Sequence, residues 1–411
     1  MKIVYITPGF GGVFYCQNCF RNNTILERMR CLGHEIISLP LYLPLNFTGG
    51  VTEKIFFGAI NIYLREKFPC YRYMPLALQD FFNRPGFLRL TAKFSGATSA
   101  CKLEDITLSM LDGEYGSQKR DLEILIKFLQ QIKPDAVHLS NALLAGLAHR
   151  IRENGIPVIC TLQDEDTWLD SMREPWKSGA WQLLARKCRD ISMFTSVSEY
   201  YLEFMKQKLG IHKENSAIIP PGLDMDKYHT SPAEPCGRTI GFLSRLSEYT
   251  GLGILIDAFI TLKKQAQFSD LQLRVSGGLI GSDRPFISKC RKKLLQNKCL
   301  ASFSCLPDLY KNNMNDFFSG LTVLSVPVPH GDAFGTYQIE AMASGIPVVQ
   351  PDKGAFPEVI EKTGGGIIFR PDTPDALASA LQQILCDPVR RNKLGRTGQE
   401  SVRKFYSADI I

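Results

Sequence analysis

Residues 330–351 read HGDAFGTYQIEAMASGIPVVQP. The apolar run Leu321 to Val328 before them reads as a buried strand, and Pro347 to Gln350 near their end reads as the next one. Between the two, Asp332 and Glu340 stand eight positions apart. A short Phe334-Gly335-Thr336 turn separates them, and Glu340 is expected to open an amphipathic helical run that Gly345 ends. Strand, loop, helix and strand in this order form one unit of a parallel α/β sheet. The unit puts one acid in the loop leaving a buried strand and a second acid on the first turns of the following helix. Free backbone N–H groups at a helix start hold a phosphate, and each carboxylate can accept two hydroxyl donors. The stretch thus offers grips for a sugar, a ribose and a phosphate, the parts of a nucleotide sugar.

The same grammar extends outward in both directions. Upstream in the second half, strand Thr239 to Leu243 leads to helix Leu252 to Lys264, and strand Leu271 to Ser276 leads to helix Pro285 to Lys298. Downstream, Thr373-Pro374 reads as an N-cap with proline at the first helical position, opening helix Asp375 to Leu385. A last helix follows from about Pro388. The first half alternates likewise: strand Lys2 to Thr7, helix Phe20 to Leu32, strand Glu35 to Leu43, helix Asp121 to Ile132, strand Ala136 to Leu139, helix Ala142 to Asn154, strand Pro157 to Leu162, strand Met193 to Val197, helix Glu199 to Leu209 and strand Ala217 to Pro220. Between the halves lies PPGLDMDKYHTSPAEPCG, residues 220–237, with four prolines and two glycines and little periodicity, a linker signature. The expected division is a Rossmann-like domain over 1–219 with a helical insertion at about 46–118, the linker at 220–237, a second Rossmann-like domain over 238–395, and a C-terminal helix over 396–411 that can pack back on the N-terminal domain.

Composition bounds the partners. The chain has 411 residues, 45% hydrophobic and 22% charged, with a net charge of +7, ordinary for a two-domain globular protein. That charge alone does not argue for nucleic acid, and neither an aromatic-basic RNA motif nor a zinc-finger spacing is present. No apolar run approaches the ~18 residues of a membrane span. MKIVYITPGF reads as a first strand, not a signal peptide, so a cytoplasmic protein is expected. Twelve cysteines without a framework are expected to be reduced thiols. Cys16-x-x-Cys19 forms the close pair, for which local packing is favoured over metal binding. Within 46–103, eight Lys and Arg stand against three Asp and Glu, together with eleven aromatics. A stretch that long without clear elements is usually functional. It is the expected acceptor side of the site, and contact with the inner face of a membrane is a further expectation for it.

Taken in order, Gly11-Gly12 after the first strand, Gly33-His34-Glu35-Ile36, Asp135 to Ser140 (DAVHLS), Pro220 to Asp224 (PPGLD), Phe242 to Leu246 (FLSRL) and Asp332-x7-Glu340 resemble the retaining glycosyltransferases of family four, over nearly the whole chain. The resemblance implies the GT-B architecture, two Rossmann-like parallel-sheet domains facing across a cleft. It implies transfer of a hexose from a nucleotide sugar to an acceptor hydroxyl with retention of configuration. Neither a metal nor another cofactor is expected, and the acceptor class is a saccharide, a lipid-linked molecule or a small molecule. It gives Arg245 the diphosphate, where a guanidinium fork suits phosphate and the charge growing on a leaving group. Glu340 takes the ribose hydroxyls, and Asp332 the donor sugar. Phe334, Gly335 and Thr336 complete the donor site together with Gly11 and Gly12, whose missing Cβ atoms let backbone N–H groups approach an anion. Arg245 and Asp332 are the catalytic candidates.

The chain departs from the family at four places. Thr250 stands where a lysine usually precedes the helix glycine, which removes a phosphate cation. Asp332 replaces the family's glutamate and shortens its reach by one methylene. Ser140 replaces the second histidine of a His-x-His, leaving His138 as a structural residue, and Gln163 stands where relatives often place a histidine. Ser140, Asn141, Gln163 and Asp164 are candidates for acceptor or sugar contact. The Asp-x-Asp strings at Asp164 and Asp224 are not read as metal sites, because neither converges with the expected phosphates. Two other readings stay open: a nucleotide-sugar binder without catalysis, and a sugar-nucleotide epimerase on the same architecture.

Overall fold

The computed structural model describes residues 1–9, 15–41, 103–228, 237–306 and 314–410. Gly11, Gly12, nearly all of the expected insertion before residue 103 and part of the linker lie outside the described residues. The chain divides into two compact units, one of residues 1–12 and 26–219 and one of residues 13–25 and 220–411.

The first unit is built on six parallel strands: β1 (Lys2–Thr7), β2 (Glu35–Pro40), β3 (Ala136–Leu139), β4 (Val158–Leu162), β5 (Met193–Ser196) and β6 (Ser216–Ile218), in the spatial order β2-β1-β3-β4-β5-β6. Five of the six residues of β1 are buried, because a parallel strand covered by helices on both faces has no solvent side. Both faces of the strand are therefore covered from Ile3 to Thr7. Helix α1 (Gln17–Cys31) begins among the residues of the second unit and ends in the first, whose other helices include α2 (Glu104–Asp112), α3 (Lys119–Ile132), α4 (Ala148–Glu153), α5 (Trp176–Lys187) and α6 (Glu199–Leu209), with a short turn of helix at Glu165–Leu169. The expected helix over 142–154 is two pieces: a 3-10 stretch, Ala142–Leu147, capped by Asn141, precedes α4.

The second unit repeats the plan with β7 (Thr239–Leu243), β8 (Gln272–Ser276), β9 (Phe303–Leu306), β10 (Val323–Leu324), β11 (Val348–Pro351) and β12 (Gly366–Phe369), ordered β12-β11-β10-β7-β8-β9. Its helices include α7 (Leu252–Lys263), α8 (Arg284–Gln296), α9 (Thr336–Ala343), α10 (Phe356–Thr363), α11 (Pro374–Leu385) and α12 (Pro388–Phe405), with a short turn of helix at Met314–Phe318. The strand expected over 321–328 forms ladder pairs only at Val323 and Leu324. Pro327 and Pro329 have no N–H to give a ladder. Side chains continue the pairing instead: the Ser325 hydroxyl donates to the Val349 carbonyl at 2.6 Å, and Val326 N–H donates to Gln350 Oε1 at 3.1 Å. Helix α9 also differs from its expected form. It begins at Thr336, four residues before Glu340, and every one of its residues is buried, so it has no solvent face. The last helix, α12, starts at Pro388 and packs against α9, α10 and α11 of its own unit.

Candidate donor-binding site

In the second sheet the strand order reverses at the pair β7/β10, since β7 is followed outward by β8 and β10 by β11. Ligands in such sheets bind beyond the carboxyl ends of the strands at this reversal. The chain leaves β7 toward Arg245 and leaves β10 toward Asp332, so both converge there. One glycine makes the convergence possible. Gly251, just before α7, has φ +81°, and a Cβ on it would overlap the Pro327 carbonyl.

Asp332 shapes the entrance to α9. Its Oδ1 accepts N–H groups of Phe334 (3.2 Å) and Gly335 (3.0 Å), and its Oδ2 accepts the Tyr337 hydroxyl (3.2 Å) and the Gln17 amide (3.1 Å). Gly335 caps the helix at φ +75°. Thr336 N–H, the first of the helix, donates to Gln17 Oε1 at 2.6 Å. Phe334 divides its parts between turn and core. Its side chain is buried edge-on against Tyr406, ring centroids 5.5 Å apart, so its ring belongs to the core while its backbone belongs to the turn.

Thr336 and Glu340 are four residues apart and share a helix face. Glu340 is 2% exposed. Its Oε1 accepts the Tyr228 hydroxyl at 2.9 Å and its Oε2 accepts the Tyr15 hydroxyl. Burial pushes the Glu340 carboxyl from 4.5 up to about 7, against the pull of these two donors, and both tyrosine hydroxyls are raised by their own burial and by the carboxylate. Beside Glu340 and Thr336 lies a cavity of about 320 Å³, whose lining includes Arg21, Asp224, Lys227 and Tyr228. Arg21 is 3% exposed. Asp224 takes the N–H of Asp226 (3.3 Å) and the Lys227 ammonium (3.1 Å).

Tyr15, Gln17, Arg21 and Tyr228 were not among the residues expected at this site. Tyr15, Gln17 and Arg21 lie more than 300 residues from Glu340, and no spacing rule reaches that far. Tyr228 carried a weak signal, since it follows the PPGLD motif by four positions.

The expected cations are arranged as follows. Arg245 donates Nε and Nη2 to Asp283 at 2.9 and 2.8 Å, and Asp283, itself buried, also accepts Ile280 N–H at 2.9 Å. Two of the five guanidinium donors are thus committed to Asp283. The Thr250 hydroxyl turns back to the Arg245 carbonyl at 2.8 Å, a capping role. Lys353 reaches the Pro329 carbonyl (2.8 Å) and Asp372 (3.0 Å).

In the first unit, Ser140, Asn141, Gln163 and Asp164 come together beyond β3 and β4. Asn141 donates to the Gln163 carbonyl at 2.9 Å and accepts Leu143 N–H at 2.7 Å, and the Gln163 side chain donates to the Ser140 carbonyl. Next to them in the chain, Glu165 is fully buried and accepts Ala142 N–H (2.8 Å), Gln163 N–H (2.8 Å) and the Tyr201 hydroxyl (2.9 Å). Its carboxyl is pushed up to about 7 by burial. His138 is buried against Tyr5 and hydrogen-bonds Thr161 at 2.8 Å, the structural role expected of it. Among the described residues, no group of three His, Cys, Asp or Glu is placed to hold a metal ion.

One cysteine expectation is corrected. Cys16 and Cys19 form a disulfide, where reduced thiols were expected. Cys16 immediately precedes α1 and Cys19 is in its first turn, and an i, i+3 separation across a helix start brings the two sulfurs together.

Two family models match in succession: Glycosyltransferase Family 4 over residues 110–227 and Glycosyl transferases group 1 over residues 226–401. The chain belongs to this glycosyltransferase family. Among its relatives, a D-inositol 3-phosphate glycosyltransferase of Corynebacterium urealyticum is 25% identical over 209 residues, 47% of this chain and 48% of that protein. A phosphatidyl-myo-inositol mannosyltransferase of Mycobacterium leprae is 27% identical over 215 residues, 51% of this chain and 54% of that protein. The chain thus spans about half the length of the curated relatives it matches. Among solved structures, Anabaena Alr3699/HepE in complex with UDP has a TM-score of 0.70 at 14% identity, covering 100% of this chain and 97% of that one. Sucrose-phosphate synthase from Thermosynechococcus elongatus has a TM-score of 0.69, also at 14% identity, with coverage of 100% and 96%. At that identity the likeness establishes the fold alone: this family member has the GT-B fold, with two parallel α/β sheets. No described helix is long and apolar enough to cross a membrane.

Proposed function

We propose that the chain transfers a hexose from a nucleotide sugar to an acceptor hydroxyl, with retention of configuration and without a bound metal. The observation that carries this reading is the entrance to α9. At the strand-order reversal, a buried carboxylate (Glu340) and the residue that starts the helix (Thr336) line one cavity, and a second carboxylate (Asp332) shapes the turn that leads into the helix. Glu340 takes the ribose hydroxyls, the helix start takes a phosphate, and Asp332 takes hydroxyls of the sugar. The acceptor hydroxyl attacks the anomeric carbon on the face from which the nucleoside diphosphate departs. The bond from carbon to phosphate oxygen breaks, and the acceptor's proton passes to that oxygen. The protein then supplies orientation and charge stabilisation rather than a nucleophile.

Relatives named for D-inositol 3-phosphate and phosphatidyl-myo-inositol support a polyol or lipid-linked acceptor. A second reading, a nucleotide-sugar binder without turnover, is favoured by one observation. Arg245 is committed to Asp283 and Thr250 carries no charge, so phosphate charge has fewer partners there than the family pattern implies.

A thermal-shift panel of UDP-, GDP- and ADP-sugars tests donor binding. A ligand at about 100 times its Kd stabilises the fold by about 2.7 kcal/mol. Absence of a shift with all three classes overturns the donor site. Release of nucleotide with transfer to an acceptor, undiminished by EDTA, separates the enzyme from the binder.

A further inference from the structure

Three donor-site grips are held by side chains of one short segment. Tyr15 gives its hydroxyl to Glu340, and Gln17 both donates to Asp332 and accepts from Thr336 N–H. Tyr15 N–H is also tied to the Gly277 carbonyl, just beyond β8, at 2.6 Å. These contacts copy the chemistry expected of a nucleotide sugar. A tyrosine hydroxyl donates to the ribose carboxylate as a ribose hydroxyl would, and an amide oxygen accepts the helix N–H as a phosphate oxygen would. Segment and ligand therefore compete for the same atoms.

Cys16 lies between Tyr15 and Gln17, and its disulfide to Cys19 ties it to the first turn of α1. The crosslink fixes the backbone from which both competing side chains leave. We propose that Cys16 and Cys19 are a reversible redox site that gates the donor site: oxidised, the pair holds Tyr15 and Gln17 on Glu340, Asp332 and Thr336; reduced, it frees these grips for a nucleotide sugar. The inference rests on the donor-site reading above.

The chemistry is thiol–disulfide exchange. A thiolate of a dithiol reductant attacks one sulfur of the pair, and the other sulfur leaves as thiolate. The reductant's second thiol then displaces the first cysteine from the mixed disulfide. Two electrons and two protons end on Cys16 and Cys19, and the reductant departs as its own disulfide. Cys19 N–H points at Cys16 Sγ across 3.3 Å, which favours Cys16 as the sulfur that leaves or attacks as thiolate.

The test uses the full chain, oxidised with glutathione disulfide or reduced with a dithiol, with peptide mass mapping of the Cys16–Cys19 linkage in each state. Titration calorimetry with UDP, GDP and ADP is expected to show at least tenfold tighter binding of one nucleotide to the reduced protein. A double variant, Cys16→Ser with Cys19→Ser, should bind at the tight level under both conditions. Tyr15→Phe should recover part of the affinity in the oxidised state. Replacing the exposed Cys31 and Cys386 by serine should leave the redox effect in place. By linkage, a tenfold difference requires saturating nucleotide to raise the reduction potential of the pair by about 30 mV. Equal affinity in both states, tighter binding when oxidised, or failure to recover the Cys16–Cys19 linkage after oxidation overturns the gate and leaves the donor site standing. No binding of any nucleotide by either state or by any variant overturns the donor-site reading, and the gate with it.

Discussion

Glu165 and Glu340 are two buried carboxyl groups, each with a tyrosine hydroxyl against it, and both titrate near 7 instead of 4.5. Each binds a proton in the folded chain over a range where the unfolded chain has released it. Their contribution to stability is therefore fully present below about pH 4.5 and lost as pH rises through 7. At about 1.4 kcal/mol per pKa unit, the shift from 4.5 to about 7 makes either contribution roughly 3–4 kcal/mol across that range. Urea denaturation of Glu340→Gln at pH 5 and pH 8 checks this. The variant should gain on the wild type as pH rises, because an amide has no proton to lose. A constant difference between the two pH values would show that Glu340 titrates as an ordinary carboxyl. The same substitution should weaken donor binding at pH 8 by about 1.5–3 kcal/mol for each hydrogen bond lost from a charged acceptor. A folded Glu340→Gln variant with full donor affinity would remove Glu340 from the ribose.

At the scale of elements, much of the second sheet is legible in its apolar runs. β7 spans the five residues TIGFL, all buried, and turn residues bound it on the carboxyl side. What the sequence hides is where pairing passes from backbone to side chain. β10 shrinks to two residues because proline interrupts its N–H groups and Ser325 and Gln350 take over, and no period-2 pattern records that exchange. The buried face of α9 is hidden for a related reason. α12 covers the side that would otherwise meet water, and α12 comes 45 residues after α9 ends. The Asp332–Glu340 pair was readable because both acids fall within one unit of the fold. Tyr15 and Gln17 were not, because their partners are made adjacent only by the tertiary structure. Gly251 tests how tightly the β7 and β10 exits are fitted. In Gly251→Ala, a left-handed φ and a Cβ against the Pro327 carbonyl act together. The expected loss is about 2 kcal/mol or more in chemical denaturation, with weaker nucleotide binding as the 327–335 loop shifts. An unchanged midpoint would mean that this loop yields at little cost.

At the scale of the whole molecule, the two units have separate sheets and separate cores, yet residues 13–25 cluster with the second unit while the strand before them belongs to the first. One consequence is that the contacts assigned to the donor at Asp332, Thr336 and Glu340 lie inside a single unit. Donor binding should then protect backbone amides unevenly. With a saturating nucleotide sugar, hydrogen exchange should slow at the Thr336–Ala343 helix and at the chain leaving β7, residues 244–251, where the ligand ties down a helix start and its neighbouring turn. The β3–β6 strands should exchange at their free-protein rates, because they make none of those contacts. Local opening free energies are read directly from such rates, so a ligand bound at 100 times its Kd should slow the protected amides by about a hundredfold where opening breaks the site. Protection confined to Ser140, Asn141, Gln163 and their neighbours would place the nucleotide on the first unit and reverse the assignment of donor and acceptor sides.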